Sequence, residues 1–152
     1  MQSLTGLIAQ LESYLSYIDK KNEAVSQVPV GWHIEHSLLA VIKMITAVEN
    51  SDPSLYKKQF NSRRILVLTI RKFPRGVAKA PASVMPGEII SLSTILQLIE
   101  KAKEKIIVLE KLGKDKYFTH PVFGDLRLNN ARKSIVIHTI HHLKIIKDII
   151  DK

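Results

Sequence analysis

The chain has 152 residues, the size of one domain, and its 23 Lys and Arg against 14 Asp and Glu give a formal net charge of +9. Its 45% apolar and 24% charged residues are typical of a soluble globular protein and exclude a disordered or fibrous chain. The absence of cysteine excludes disulfides, thiolate-bound zinc, iron–sulfur clusters and cysteine nucleophiles. We therefore expect a single domain over residues 1–152, in which any bound metal uses His, Asp or Glu.

The first third of the chain predicts two helices. Apolar residues recur at helical spacing from Ser3 to Lys20, and a segment with Pro29 and Gly31 ends that pattern. A second helix is expected from Trp32 to Glu49. Because this helix is apolar almost all round, it should have neighbours on several sides.

A basic segment follows, from Pro53 to Gly87, and it contains no Asp or Glu. Asp52 followed by proline predicts the start of a short basic helix that reaches Lys72, and the prolines and glycines of Phe73–Gly87 predict a long loop. Such a segment either binds an anionic ligand, nucleic acid or an acidic partner, or is a solvated face. Its basic residues are Lys57, Lys58, Arg63, Arg64, Arg71, Lys72, Arg75 and Lys79.

The second half predicts two more main helices. One should run from Ser91 to Leu112, with Gly113 as its C-terminal cap, and the last should be capped by Asn129 or Asn130 and run to Asp151. No alternation of apolar and polar residues predicts a strand. The fold class expected is all-α, a four-helix bundle with an extra short helical segment and a long loop between the second and third main helices.

Several signatures are absent from the sequence. The six glycines are too far apart for a GxGxxG motif or a P-loop, and neither GxSxG nor HExxH occurs. The N-terminus lacks the positive region of a signal peptide, and no apolar stretch approaches the roughly 18 residues that span a bilayer. We therefore expect a cytoplasmic protein that does not bind membranes.

Histidine is the most informative residue type. His138 and His142 are four residues apart on the last predicted helix, in the middle of its apolar face, so both imidazoles should point into the protein. That spacing lets two histidines chelate one metal ion. As ordinary core residues, each would instead need a buried polar partner in aliphatic surroundings. The remaining histidines are His33, His36, His120 and His141.

A catalytic metal commonly has three protein ligands and an open position, so a third ligand should come from another helix. His36 lies opposite the main apolar stripe of the second helix, beside Ala40 and Ala47. It is either a surface residue or faces a second interface with room for a cofactor. His33, about 60° away around the helix, competes for the same role.

Three segments together resemble a known family. They are Trp32-His33-Ile34-Glu35-His36-Ser37-Leu38-Leu39, Pro74-Arg75-Gly76, and His120-Pro121-Val122-Phe123-Gly124 followed by Ile137-His138-Thr139-Ile140-His141-His142-Leu143. Over essentially its whole length the chain resembles the YfiT-like branch of the DinB superfamily. The resemblance implies a four-helix bundle with a divalent metal, commonly zinc or nickel, held by His36, His138 and His142. The spacing from Trp32 to His36 is shorter than in better-known members, which leaves His33 as an alternative ligand.

The resemblance also implies a metal-dependent enzyme acting on a small molecule, either a hydrolase or a transferase that uses a low-molecular-weight thiol. The ion would lower the pKa of a water or bind a thiolate nucleophile. Arg75 is a candidate for clamping a carboxylate or phosphate. The residues expected to support the ligands, move a proton or contact substrate are His33, His120, His141, Arg75 and Trp32.

Two other functions are consistent with the sequence. A non-catalytic binding module would hold an anionic ligand or nucleic acid through the basic segment, but no helix-turn-helix pattern or aromatic-interleaved basic stripe is present, and we expect no nucleic-acid partner. The other is a family member that has kept the fold and lost activity. Helices that are apolar on more than one side are also compatible with a homodimer.

Overall fold

The structure is a computed structural model that describes residues 2–74 and 81–152, and these residues form a mostly helical fold with a small β-hairpin. Of the sequence-based candidates, Arg75, Gly76 and Lys79 lie outside the described residues. The helices are α1 (Leu4–Ser13), α2 (Val30–Glu49), α3 (Ser62–Ile70), α4 (Leu92–Lys111) and α5 (Leu128–Asp151). The strands are β1 (Tyr117–His120) and β2 (Gly124–Arg127), and single 3-10 turns lie at Leu15–Tyr17, Pro53–Leu55 and Ala82–Val84.

Helix α2 is the centre of the fold, because it packs against both α4 and α5, and α1 packs against the same two helices. The prediction that α2 has neighbours on several sides is confirmed. Full burial of a large aliphatic side chain contributes roughly 1.5–3 kcal/mol each, so this packing supplies much of the driving force for folding. The aliphatic side chains with no exposed surface include Leu7, Leu11, Ile34, Leu38, Ile45, Ile95, Ile99, Ile135 and Ile146.

Side-chain caps fix where several helices begin. The predicted start of α4 is confirmed, because the Ser91 side chain accepts a hydrogen bond from the Thr94 backbone N–H. Asp52 caps as predicted, but only the single turn Pro53–Leu55 follows it. The expectation of one helix continuing to Lys72 is wrong.

The backbone N–H of Lys57 donates to the Asp125 side chain at 2.8 Å, which ties the intervening segment to the hairpin. The chain then begins a new helix, α3, at the Asn61 cap.

The hairpin corrects the expectation that no strands form. Strands β1 and β2 pair antiparallel, with His120 opposite Gly124, and three residues connect them. Gly124 has a φ of 67°, the left-handed conformation that a three-residue hairpin connection commonly needs. Strands of four residues are too short for an alternating pattern to stand out in the sequence. The predicted all-α class is therefore replaced by a mostly helical fold with one hairpin.

The hairpin also changes how its neighbouring helices end and begin. Helix α5 starts directly after β2, at Leu128, whose N–H donates to the Lys116 carbonyl at 2.8 Å, so neither Asn129 nor Asn130 is the cap. Helix α4 ends with Leu112 as its extended cap residue, and Gly113 does not adopt a left-handed conformation. Within residues 2–74 and 81–152, no helix combines the length and apolarity needed to cross a membrane.

Candidate metal centre

Helices α2 and α5 bring three histidines together. One ring nitrogen each of His36, His138 and His142 lies within 4.8 Å of those of the other two. Zinc–imidazole bonds are about 2.0–2.1 Å long, which puts two nitrogens on one tetrahedral ion about 3.4 Å apart, so small side-chain rotations would close the set. The three histidines are thus close enough to hold a metal ion.

The backbone explains this convergence. His138 and His142 are one helical turn apart on α5, and their ring centroids are 4.7 Å apart. His36 reaches them from α2, with ring centroids 5.2 Å from His138 and 4.7 Å from His142. Of the two candidates on α2, the structure brings His36 into the group and places His33 beside it.

The ring of His36 is held on two sides. Its Nδ1 lies 2.8 Å from the carbonyl oxygen of Val84, in the turn Ala82–Val84. Because a carbonyl only accepts, Nδ1 carries the hydrogen and the neutral ring has its lone pair on Nε2. Trp32, predicted to line the site, stacks on this ring with centroids 4.9 Å apart and planes at 13°. His36 is thereby oriented with its Nε2 unbonded among the residues that the structure describes.

His138 supplies a buried nitrogen that needs a partner. Its Nδ1 is buried and has no hydrogen-bond partner among the described residues. Leaving a buried polar nitrogen unsatisfied costs about 1–3 kcal/mol. A bound cation would satisfy it, and the set of three imidazoles is chemically suited to zinc, nickel and similar divalent ions. The residues present therefore fit a divalent metal.

Burial keeps the three rings neutral. Burial in the protein interior lowers the pKa of His36, lowers that of His138 to about 3, and lowers that of His142 well below its ordinary value, with neighbouring histidines adding to the shift at His138 and His142. Unprotonated imidazole is the form that binds metal ions. The group is ready to bind metal at neutral pH without losing protons.

The other predicted histidines take different places. His120 stacks on Phe123 with centroids 4.3 Å apart, and its Nδ1 accepts the backbone N–H groups of Val122 and Phe123, so it fastens the hairpin connection. Burial lowers its pKa to about 4. His141 lies outside the three-histidine group, with its ring 6.2 Å from that of Phe73.

Phe73 forms one wall beside the group, since its ring centroid also lies 6.2 Å from that of His138. Nothing in the sequence marks Phe73 as a site residue, because a lone Phe at the start of a predicted loop is an ordinary feature.

Glu35 is a second buried residue that the sequence patterns do not mark as a candidate. It is only 5% exposed, its Oε2 is buried without a hydrogen-bond partner among the described residues, and the Gly87 N–H donates to its carboxylate. Burial raises its pKa. The available signal was an acidic residue in the N-terminal part of a helix that is apolar almost all round.

The described part of the basic segment is mostly solvated. Arg64 is the exception, because its guanidinium donates to the carbonyls of Phe123 and Asp125 and thereby fastens α3 to the hairpin. The side chains left exposed to solvent are Lys57, Lys58, Arg63, Arg71 and Lys72. This arrangement supports the interpretation of these residues as a solvated face.

No family model, curated protein or solved structure matches the chain. The resemblance to the YfiT-like branch of the DinB superfamily therefore stays a prediction from the sequence segments named above.

Proposed function

We propose that the protein is a metal-dependent enzyme of the YfiT-like branch of the DinB superfamily, with its helices arranged as a four-helix bundle and a zinc or nickel ion held by His36, His138 and His142. The observation that carries this proposal is the convergence of three neutral ring nitrogens within 4.8 Å. It is supported by the unsatisfied Nδ1 of His138. The wider resemblance supports the choice of family.

The donor set suits catalysis better than a purely structural role. Structural zinc sites are usually closed by four protein ligands, whereas a three-ligand site keeps a position for water or substrate. A bound divalent ion supplies Lewis acidity, which lowers the pKa of a coordinated water or thiol. Because three imidazoles are uncharged, the ion keeps its full positive charge and favours an anionic ligand. A hydrolase, or a transferase using a small thiol, matches this preference.

The chain's own residues prepare the site. The Val84 carbonyl holds His36 with its Nε2 free, and Trp32 and Phe73 place apolar ring surface beside the histidines. Apolar walls exclude bulk water, which strengthens electrostatic interactions with a bound substrate. The substrate class proposed is therefore a small molecule with an electrophilic centre, bound against aromatic surface.

Metal analysis tests the proposal. Protein purified without a His-tag and titrated with Zn²⁺ or Ni²⁺ should bind about one equivalent, and H138A and H142A should each bind less than a tenth of an equivalent. H141A is the matched control, because His141 is on the same helix but outside the group, and it should bind one equivalent. The loaded protein should then accelerate ester hydrolysis or thiol transfer relative to H142A.

Failure of the wild-type protein to take up metal would overturn the proposal. Equal uptake by H142A would overturn it as well, because the ion would then be held elsewhere. Stoichiometric binding without any acceleration in either assay would remove the catalytic part and leave a metal-binding protein.

A further inference from the structure

A hydrogen-bonded chain leads from the candidate site to the segment between α1 and α2. The Nδ1 of His142 lies 3.1 Å from the Nδ1 of His33, and the Nε2 of His33 lies 2.9 Å from the Ser26 Oγ. His33 is 4% exposed and Ser26 is partly buried. Ser26 in turn accepts the backbone N–H of Val28 at 3.3 Å. Both ring nitrogens of His33 are therefore in hydrogen bonds, one with His142 and the other with Ser26.

Two arrangements of hydrogens satisfy this chain. In the first, His142 donates from Nδ1 to His33, and His33 donates from Nε2 to Ser26. In the second, the Ser26 hydroxyl donates to His33, and His33 donates to His142. Only the first leaves the Nε2 of His142 without a hydrogen, because a neutral imidazole carries one hydrogen on one nitrogen.

We propose that His33 is a positioning residue for the metal centre, which accepts the Nδ1 hydrogen of His142 and so presents the Nε2 lone pair of His142 to the ion, while Ser26 holds His33 in the matching tautomer. This inference rests on the proposed function, since it assumes that His142 binds the metal. It assigns His33, which the sequence left as a competing ligand, to a supporting role. It also makes metal affinity depend on Ser26, which lies outside the helices.

The effect of each contact can be ranked. Hydrogen-bond partners of metal-binding histidines typically change metal affinity about 10–100-fold when removed. His33 is buried and contacts the metal-binding residue His142 directly, so removal of the His33 side chain should weaken metal binding by an amount within that range. Ser26 is only partly buried and acts through His33, so water can replace its hydroxyl, and its loss should reduce affinity only a few-fold.

The test compares zinc dissociation constants, measured by competition with a chromogenic chelator, for the wild-type protein and four variants. H33A should bind zinc about 10–100-fold more weakly. H33N should stay within about 3-fold of wild type, because the Asn side-chain oxygen can take the place of the imidazole Nδ1 as acceptor. S26A should bind zinc a few-fold more weakly than the wild type. S13A is its control and should match wild type, because the Ser13 hydroxyl binds the Gln10 carbonyl on the exposed side of α1.

Nitrogen-15 NMR of the imidazole rings supplies a second readout that a general loss of stability would not reproduce. In the zinc-loaded wild-type protein, His33 should show the hydrogen on Nε2 and a hydrogen-bonded, metal-free Nδ1. A metal-bound shift at His33, or equal zinc affinity in H33A and the wild type, would overturn the inference. Absence of zinc binding in the wild type would instead overturn the proposed function.

Discussion

The histidine group and the basic segment both stand out as concentrations of reactive or charged side chains, but their surroundings differ. His36 and His142 are buried between α2 and α5, and the Nδ1 atom of each is hydrogen-bonded. In the basic segment, Lys57, Arg63 and Arg71 extend into solvent. A cluster of polar side chains thus forms a site with fixed geometry where the surrounding helix faces are apolar and buried. Where those faces are exposed, a similar cluster forms a solvated surface.

The packing of the two helices that carry these groups explains the difference. Helix α2 is buried along much of its length, while α3 buries only Val67. The side chains of Ile65 and Leu66 on α3 are 50% and 59% exposed. Neighbours on several sides restrict the side chains of a helix to one arrangement. A helix that packs through a single buried residue leaves most of its side chains free to move in solvent.

The largest expected effect is a difference between α2 and α3 in how much a Leu-to-Ala substitution lowers the free energy of unfolding. L38A removes a side chain with no exposed surface on α2 and should lower the free energy of unfolding by about 2–5 kcal/mol. L66A makes the same chemical change on the exposed face of α3 and should alter the free energy of unfolding by no more than about 0.5 kcal/mol. Urea denaturation followed by circular dichroism measures both. A loss of several kcal/mol in L66A would show that a further surface covers α3.

The next expected effect is the response of the metal-free protein to acid. The pKa of His138 is about 3 in the folded protein and about 6.5 when unfolded, so below pH 6.5 the unfolded state binds more protons. Stability should therefore be full above pH 6.5 and fall as the pH drops toward 3. A histidine shifted this far contributes a loss of about 1–2 kcal/mol between pH 7 and pH 5.

The H138L variant isolates this contribution, because leucine fills the buried position and does not titrate. Its unfolding free energy should change less between pH 7 and pH 5 than that of the wild-type protein. An identical change in both proteins would show that the pKa of His138 is the same in the folded and unfolded states. The contrast between a buried site that disfavours charge and a solvated surface would then fail.

The long helices α2, α4 and α5 were predictable because their amphipathic or apolar segments repeat the pattern several times. The end of α2 at Glu49 and the Ser91 cap of α4 came directly from such patterns. The hairpin was not predictable, since its pairing joins residues whose four-residue strands show no alternation. The break at residues 56–61 depends on the distant Asp125, which no local pattern reveals.

The candidate site was predictable in the part that lies within one helix. The spacing of His138 and His142 fixes their common face. The choice between His36 and His33 was not predictable from the sequence. It depends on how α2 is rotated against α5 and on the Val84 carbonyl, which belongs to a separate segment. The hydrogen bond between His142 and His33 likewise joins residues 109 positions apart.

The smallest expected effect tests whether the basic segment acts on the site at all. K57E/R63E reverses two exposed charges in the segment, and K101E/K114E is its control, with the same net charge and two exposed positions elsewhere. Exposed charges are screened over about 8–10 Å of salt solution, so both variants should bind zinc within about twofold of wild type at 0.15 M salt. Isothermal titration calorimetry measures the dissociation constants.

A weakening confined to K57E/R63E would break the comparison, because it would couple the basic segment to the histidines. The direction of the change in zinc affinity would separate an electrostatic effect from a structural one. Negative charges near a cation site should strengthen metal binding by simple electrostatics, so a specific weakening would have to come from lost structural contacts between the segment and the hairpin. The single variants K57E and R63E would then identify which of the two charge reversals causes the weakening.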